Sequence, residues 1–271
     1  MALLFMDGFD VTDYLLKYNI VVGGIQGTTI TTRFSVGKHY TSNGANQSLK
    51  KTFAASSKII VGFAYAAQTG LRNSNASMMT LYGDSGATAH LSLRLLSDGS
   101  IRLYLGDGGT TLGTSSPLGL GAASAWFYIE LSGTIADAGG RATVKVNGVT
   151  VIDFTGDTKN AGTNTTIDAV RIQGDYSVDC AFFDDFYICD GTGAVNNDFL
   201  GDVRVQTLLP TGAGSSTQFA PSVGSNWDNV NDSPYVSTTY NSDTVSGHRD
   251  TYAMGDLAAG TGTVFGVQDN I

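Results

Sequence analysis

Carboxylates and flat aromatic rings are the side chains in this sequence whose types and spacing invite chemistry. Asp184 and Asp185 are adjacent. Neighbouring residues of a strand point to opposite faces, so this pair cannot act as acid and base on one substrate. Asp98, Asp107, Asp153 and Asp157 fall in or near turns. There an aspartate either caps the local backbone or ligates a hard cation. No helix–loop–helix calcium spacing links them. His39, His90 and His248 are scattered and have no serine or cysteine partner recognisable by spacing. Gly106-Asp107-Gly108-Gly109 is glycine-rich, but no Lys-Ser/Thr pair follows, so it is no phosphate loop. Tyr40, Tyr104, Trp126 and Tyr128 are expected to be exposed rings on which a sugar can stack. Their competing role is packing against a second sheet or a subunit. Phe219, Trp227 and Tyr235 stand isolated in a polar, glycine-rich stretch and are expected to dock it. The expected chemistry is binding, with no catalytic residue.

The elements that must position these groups are strands. From Trp126 to Ser132, Phe127, Ile129 and Leu131 alternate with Trp126, Tyr128 and Glu130. Ala142, Val144 and Val146 alternate with Thr143 and Lys145, and Asn147-Gly148 follows. Asn-Gly is the strongest short hairpin signal, because a type I′ turn needs positive φ at both central residues. A two-residue turn sets Val146 opposite Val149 and Val144 opposite Val151, all on one side. From Ile152 to Phe154 the apolar parity changes, which implies a bulge or a strand buried on both sides.

Elsewhere the chain reads as strand after strand. Lys58–Ala66 is a nearly continuous apolar run, the mark of a strand buried on both faces. Ala89, Leu91, Leu93 and Leu95 alternate with His90, Ser92 and Arg94. After Ser97-Asp98-Gly99-Ser100, Ile101, Leu103 and Leu105 return with Arg102 and Tyr104 outward. The loop from Asp107 to Leu120 is long enough to line a concave face. The run 178–190, VDCAFFDDFYICD, is apolar on both faces and belongs mid-sheet. Tyr14–Val22 reads as a helical turn then a strand, and Phe199–Leu209 as one further strand. From Asn197 the composition turns to Gly, Ser and Asn. We therefore expect an all-β sandwich over 1–195 and an extended arm or partial β domain over 196–271.

Composition narrows the function classes. Of 271 residues, 35 are glycine and 4 proline, a balance that suits many short strands joined by tight turns. Lys and Arg total 15 against 24 Asp and Glu, a net charge of −9. With no basic run, nucleic acid is not an expected partner. No stretch approaches the ~20 apolar residues of a membrane span. The opening MALLFMDGFD lacks a cationic start and a leader-length apolar run, so synthesis in the cytosol is expected. Cys180 and Cys189 lie nine apart in one apparent strand, roughly 30 Å at ~3.3 Å per residue. Disulfide geometry needs Cα atoms within ~7 Å, so both are expected to be buried thiols.

Three stretches carry a family resemblance. The strand Trp126-Phe127-Tyr128-Ile129-Glu130, the valine strand and Asn147-Gly148 together resemble the concanavalin A-like (laminin G-like) jelly roll. Phe183-Asp184-Asp185-Phe186-Tyr187-Ile188 resembles the closing strand of laminin G-like and pentraxin-like jelly rolls. In those folds it pairs with the first strand, here Phe5–Asp10. A third run starts at Asn197-Asp198-Phe199-Leu200-Gly201-Asp202-Val203-Arg204-Val205. It continues through Leu209-Pro210-Thr211-Gly212, Trp227 and Asp250-Thr251-Tyr252, and is similar to a run in structural proteins of tailed bacteriophages. The resemblance implies a non-enzymatic virion protein, made in the host cytoplasm. Its expected place is the head surface, as a decoration or cement protein bound to capsid neighbours through the C-terminal segment. The alternative it implies is a tail-fibre or tail-tip protein binding a host-surface glycan. Homo-oligomers are expected, a trimer by viral precedent. No cofactor is implied beyond a structural calcium ion, for which Asp98, Asp107 and Asp157 are the candidate ligands.

Overall fold

The computed structural model describes residues 3–11, 14–23, 25–27, 33–34, 37–42, 47–67, 75–120, 125–174, 181–233, 236–257 and 262–268. In chain order the sandwich begins with β1 (Leu3–Asp7), a helical turn α1 (Tyr14–Lys17), β2 (Ile20–Val22), β3 (Ile25–Gly27), β4 (His39–Ser42) and β5 (Gln47–Ser56). It continues with β6 (Lys58–Ala67), β7 (Ala76–Gly83), β8 (Thr88–Leu95), β9 (Ile101–Leu105) and β10 (Thr110–Thr114). It ends with β11 (Phe127–Thr134), β12 (Gly140–Val146), β13 (Val149–Gly156), β14 (Ile167–Gly174) and β15 (Ala181–Asp190).

These strands form two antiparallel sheets, the all-β sandwich expected from the alternation and the jelly roll that the family resemblance implies. The first sheet has the order β13-β12-β11-β6-β15-β4-β3, with β1 also on β15. The second has the order β10-β9-β8-β7-β14-β5-β2. Between them lies one apolar core, to which Val61, Phe63, Leu81, Leu93, Leu103, Ile129, Val144 and Ile172 contribute. β6 and β15 are buried along almost their whole length, as their double-sided apolar sequences require. β1 does pair with β15, through Phe5↔Ile188, Met6↔Tyr187 and Asp7↔Phe186.

Two local expectations need correction. The Asn147-Gly148 turn has positive φ at both residues, 47° and 78°, and Val146 faces Val149. Past that pair a bulge shifts the register, so Val144 opposes Ile152 and not Val151. Ile152 takes the core position, and Val149 is left exposed. In β15 a second bulge falls between Asp184 and Tyr187. Asp185 adopts φ 50° there, which breaks simple alternation at the acidic pair.

The segment after β15 is not a strand. Residues 197–205 cross the outer side of the first sheet as an irregular strap. Phe199, Leu200 and Val203 pack on a second apolar cluster of Ile60, Ala64, Tyr128, Tyr187 and Cys189. Gly62 leaves the space that the Tyr187 ring of that cluster fills. A Cβ on it would sit 2.2 Å from Tyr187 Cε1. The strap is also tied by polar bonds. Glu130 Oε1 accepts Tyr187 Oη–H at 2.5 Å and Gly201 N–H at 2.9 Å, and Tyr187 Oη accepts Leu200 N–H at 3.1 Å. Asp185 accepts from Val205 N at 2.7 Å and Arg33 Nη1 at 2.6 Å, and Arg33 also pairs with Asp202.

The chain divides into two compact units. The first compact unit holds Met1–Phe9, Tyr14–Val205 and Phe265–Ile271, and the second holds Asp10–Asp13 and Gln206–Val264. The boundary falls after the strap because the strap's apolar side chains belong to the sandwich. The second unit contains β16 (Pro210–Thr217) paired with β19 (Asp250–Met254), and β17 (Ala220–Pro221) paired with β18 (Asn241–Ser242). Its hub is Asp250, which accepts from Gln218 N at 2.6 Å, Phe219 N at 2.9 Å and Asn226 Nδ2 at 2.5 Å.

Candidate functional site

Among the sequence-predicted rings, exposure fails for three. Tyr40 and Tyr128 are fully buried and Tyr104 is nearly so. Tyr40 points into the core, where it meets Phe9 and Phe183. Tyr128 is capped by the strap and donates its hydroxyl to Asp185 O at 3.0 Å. Burial pushes the phenol pKa of both upward. Trp126 is half-buried beside the strap, edge-on to His39 at 6.1 Å. These four rings do not make one platform. On the first sheet, Ile60, Ala64, Tyr128, Tyr187 and Cys189 form an outer cluster on which Phe199, Leu200 and Val203 of the strap pack.

The aspartates are likewise dispersed. Asp98 caps its own turn by accepting the N–H and hydroxyl of Ser100, which hold its carboxyl below the usual range. Asp157 accepts Lys159 N–H at 3.0 Å. Asp107 lies between two arginines. Among the described residues no group of three His, Cys, Asp or Glu side chains is placed to hold a metal ion. Phe219 and Trp227 are half-buried in the second unit, and Tyr235 lies outside the described residues, as does Cys180. Cys189 is a buried free thiol whose pKa burial pushes up to about 12.

The polar groups that do converge lie on the outer face of the second sheet. Strand pairing sets one row across it: Lys50 opposite Arg171, Arg171 opposite Thr80, Thr80 opposite Ser92, and Ser92 opposite Tyr104. These are the residues left outward when Leu49, Ile172, Met79, Leu93 and Leu103 face the core. Arg94 and Tyr82 flank the row from β8 and β7.

A glycine turn lays Asp107 over this row. Ser92 Oγ donates to Gly106 O at 2.7 Å and accepts Gly108 N–H at 3.2 Å, which fixes the turn between β9 and β10. Gly106 and Gly108 take φ 75° and 79°, and a Cβ on Gly108 would stand 2.3 Å from Arg94 Nη2. Asp107 thereby bridges two guanidinium groups: Arg94 Nη2 donates to Oδ1 at 3.0 Å and Arg171 Nη2 to Oδ2 at 2.8 Å. Both arginines lie over rings, Arg94 over Tyr104 at 5.7 Å and Arg171 over Tyr82 at 5.3 Å. Lys50 Nζ sits 4.1 Å over the same Tyr82 ring and donates to Gly86 O. Burial and then the Arg171 charge lower the Lys50 pKa, with Asp168 opposing.

Sequence reasoning found Tyr104 and Asp107 but assigned them to different chemistries. Alternation also placed Arg94 outward. Arg171, Tyr82 and Lys50 were missed, because only strand order sets β7, β14 and β5 in succession after β8 on one sheet.

No protein-family model matches the chain, and no curated protein matches it in sequence. Solved sandwiches do resemble it. A protein of unknown function with a galectin-like fold from Bacillus subtilis is similar over 70% of this chain and 96% of that one, at 14% identity and TM-score 0.48. A cellulose induced protein, Cip1, is similar over 63% of this chain and 87% of that one, at 17% identity and TM-score 0.46. The receptor binding domain of botulinum neurotoxin type G is similar over 63% of this chain and 42% of that one, at 10% identity and TM-score 0.41. These are likenesses of backbone shape.

Proposed function

We propose that this chain is a non-catalytic, lectin-like sandwich that binds carbohydrate through the outer face of its second sheet. The observation that carries the reading is the Arg94–Asp107–Arg171 bridge laid over Tyr82 and Tyr104. Sugars are recognised by planar polar groups, and this row supplies two bridged guanidinium groups held by the buried Tyr82 and Tyr104 rings beneath them. Its one central carboxylate is already engaged by two arginines, whereas glycoside hydrolysis needs two carboxylates about 5–9.5 Å apart across a cleft. The reading needs no cofactor. The test is a glycan array probed with the tetramerised chain and with an Arg94→Ala/Arg171→Ala variant. Hits that the variant loses, at unchanged melting temperature, support it. A blank array at high avidity overturns it.

A virion setting is the second reading, for a specific reason. The segment 197–205, which resembles a run in tailed-phage structural proteins, is built into the sandwich as its strap. In this reading copies of the chain are displayed on the virion, by preference on the head surface. Gold-labelled antibody on purified virions tests it. Label over heads supports decoration, label at the tail end supports a receptor-binding role, and unlabelled particles remove the reading.

A further inference from the structure

We propose that the glycan this face selects is acidic, and that its carboxylate competes with Asp107 for the Arg94–Arg171 pair. The inference rests on the carbohydrate-binding reading above and names its substrate class. Charge is the first argument. The chain as a whole carries −9, yet Lys50, Arg94, Arg102 and Arg171 gather here against Asp107 and Asp168. Asp168 is already used, accepting Ser85 N–H at 2.7 Å and Gly86 N–H at 2.8 Å. A local cation excess on an acidic protein concentrates anionic ligands at that face.

Hydrogen bonding is the second argument. Arg94 Nε and Arg171 Nε are both buried without a hydrogen-bond partner. Each guanidinium gives Asp107 one Nη2–H and keeps its Nε–H unspent, although a guanidinium matches a carboxylate best through two parallel N–H groups. Asp107 thus half-fills a fork made for carboxylates. It is also the most accessible of the three, at 37% side-chain exposure against 18% and 22% for the arginines. It rides on a turn with glycine on both sides. A uronic-acid carboxylate entering here exchanges one anion for another, so the arginines never lose their counter-charge.

The experiment compares trigalacturonic acid with its carboxyl-reduced, neutral counterpart by isothermal titration, using the full chain. Sulfated dextran serves as a charge control. The acidic sugar is expected to bind about tenfold tighter than the reduced one, with affinity falling as salt rises. Arg171→Gln is expected to lose about tenfold, and Arg171→Lys, which keeps charge but not the fork, most of that. Asp107→Asn is expected to gain about threefold by removing the competitor. Equal binding of both sugars overturns the acidic selectivity and leaves the carbohydrate reading standing. Weaker binding by Asp107→Asn, or binding to sulfated dextran indifferent to Arg171→Gln, also overturns it. Binding of neither sugar, with a blank array, removes both readings.

Discussion

His39 is placed by rings and not by hydrogen bonds. It is fully buried, edge-on to Phe182 at 4.9 Å, and neither ring nitrogen has a hydrogen-bond partner. Burial pulls its pKa down from 6.5 to about 4. In the unfolded chain the ring takes a proton near 6.5 and in the folded chain only near 4. Its contribution is therefore complete above the unfolded value and is lost as pH falls through that window. At about 1.4 kcal/mol per unit, the loss reaches about 3 kcal/mol by pH 4. His90 is lowered by burial too and acts in the same sense, whereas Asp185, pushed up by burial, acts in the opposite one. Urea midpoints measured at pH 7 and pH 4.5 should fall less in a His39→Leu variant than in the parent. Parallel declines in the two proteins would take His39 out of the acid sensitivity.

The strap is the element whose role the rest of the chain does least to announce. It has no alternation, because it pairs with no strand. Its backbone N–H groups at Leu200, Gly201 and Val205 instead go to Tyr187, Glu130 and Asp185. Those are the buried polar side chains that a two-sheet scheme leaves pointing outward, and burying them without partners would cost about 1–3 kcal/mol each. Opening the strap should expose Cys189, whose thiol is inert while buried and protonated. In a Cys180→Ser background, Phe199→Ala/Leu200→Ala should speed thiol labelling by at least about tenfold, for a stability loss of about 2 kcal/mol. An unchanged labelling rate would mean that something other than these two side chains covers Cys189. This element also marks how far the sequence could be read. Burial of β6 and β15 and the Asn147-Gly148 turn were legible because each follows from local pattern, whereas the β1–β15 pairing was legible only through the family resemblance. The strap was read as a strand because Val203 and Val205 mimic alternation. The polar row was legible only in halves: period-two spacing says which way Arg94 and Tyr104 point, but not that Arg171, on β14, lies two strands from β8 in the same sheet.

At the scale of the whole molecule, the two compact units are held by different forces. The sandwich buries dozens of apolar side chains, whereas no hydrophobic residue described between 206 and 264 is fully buried. The second unit's buried side chains are Asn226 and Asn229. Asn226 donates to Asp250 and to Phe219 O, and Asn241 donates to Asn226 O at 2.8 Å and to Tyr252 Oη at 3.0 Å. Hydrogen bonds exchange with water nearly evenly, at about 0.5–1.5 kcal/mol net each, so such a unit should open locally long before the core does. Amide exchange followed by mass spectrometry should show peptides from β16 and β19 exchanging at least about 100-fold faster than those from β6, a difference of about 3 kcal/mol in opening free energy. Asp250→Ala, which removes the acceptor for two backbone amides and Asn226, should bring β16 and β19 to the rate of an open chain and leave β6 unchanged. Equal protection in β16, β19 and β6 would mean that the second unit draws stability from a partner surface or from other copies of the chain. The oligomeric mass at the same protein concentration would then become the deciding measurement, because protection of that origin must disappear on dilution.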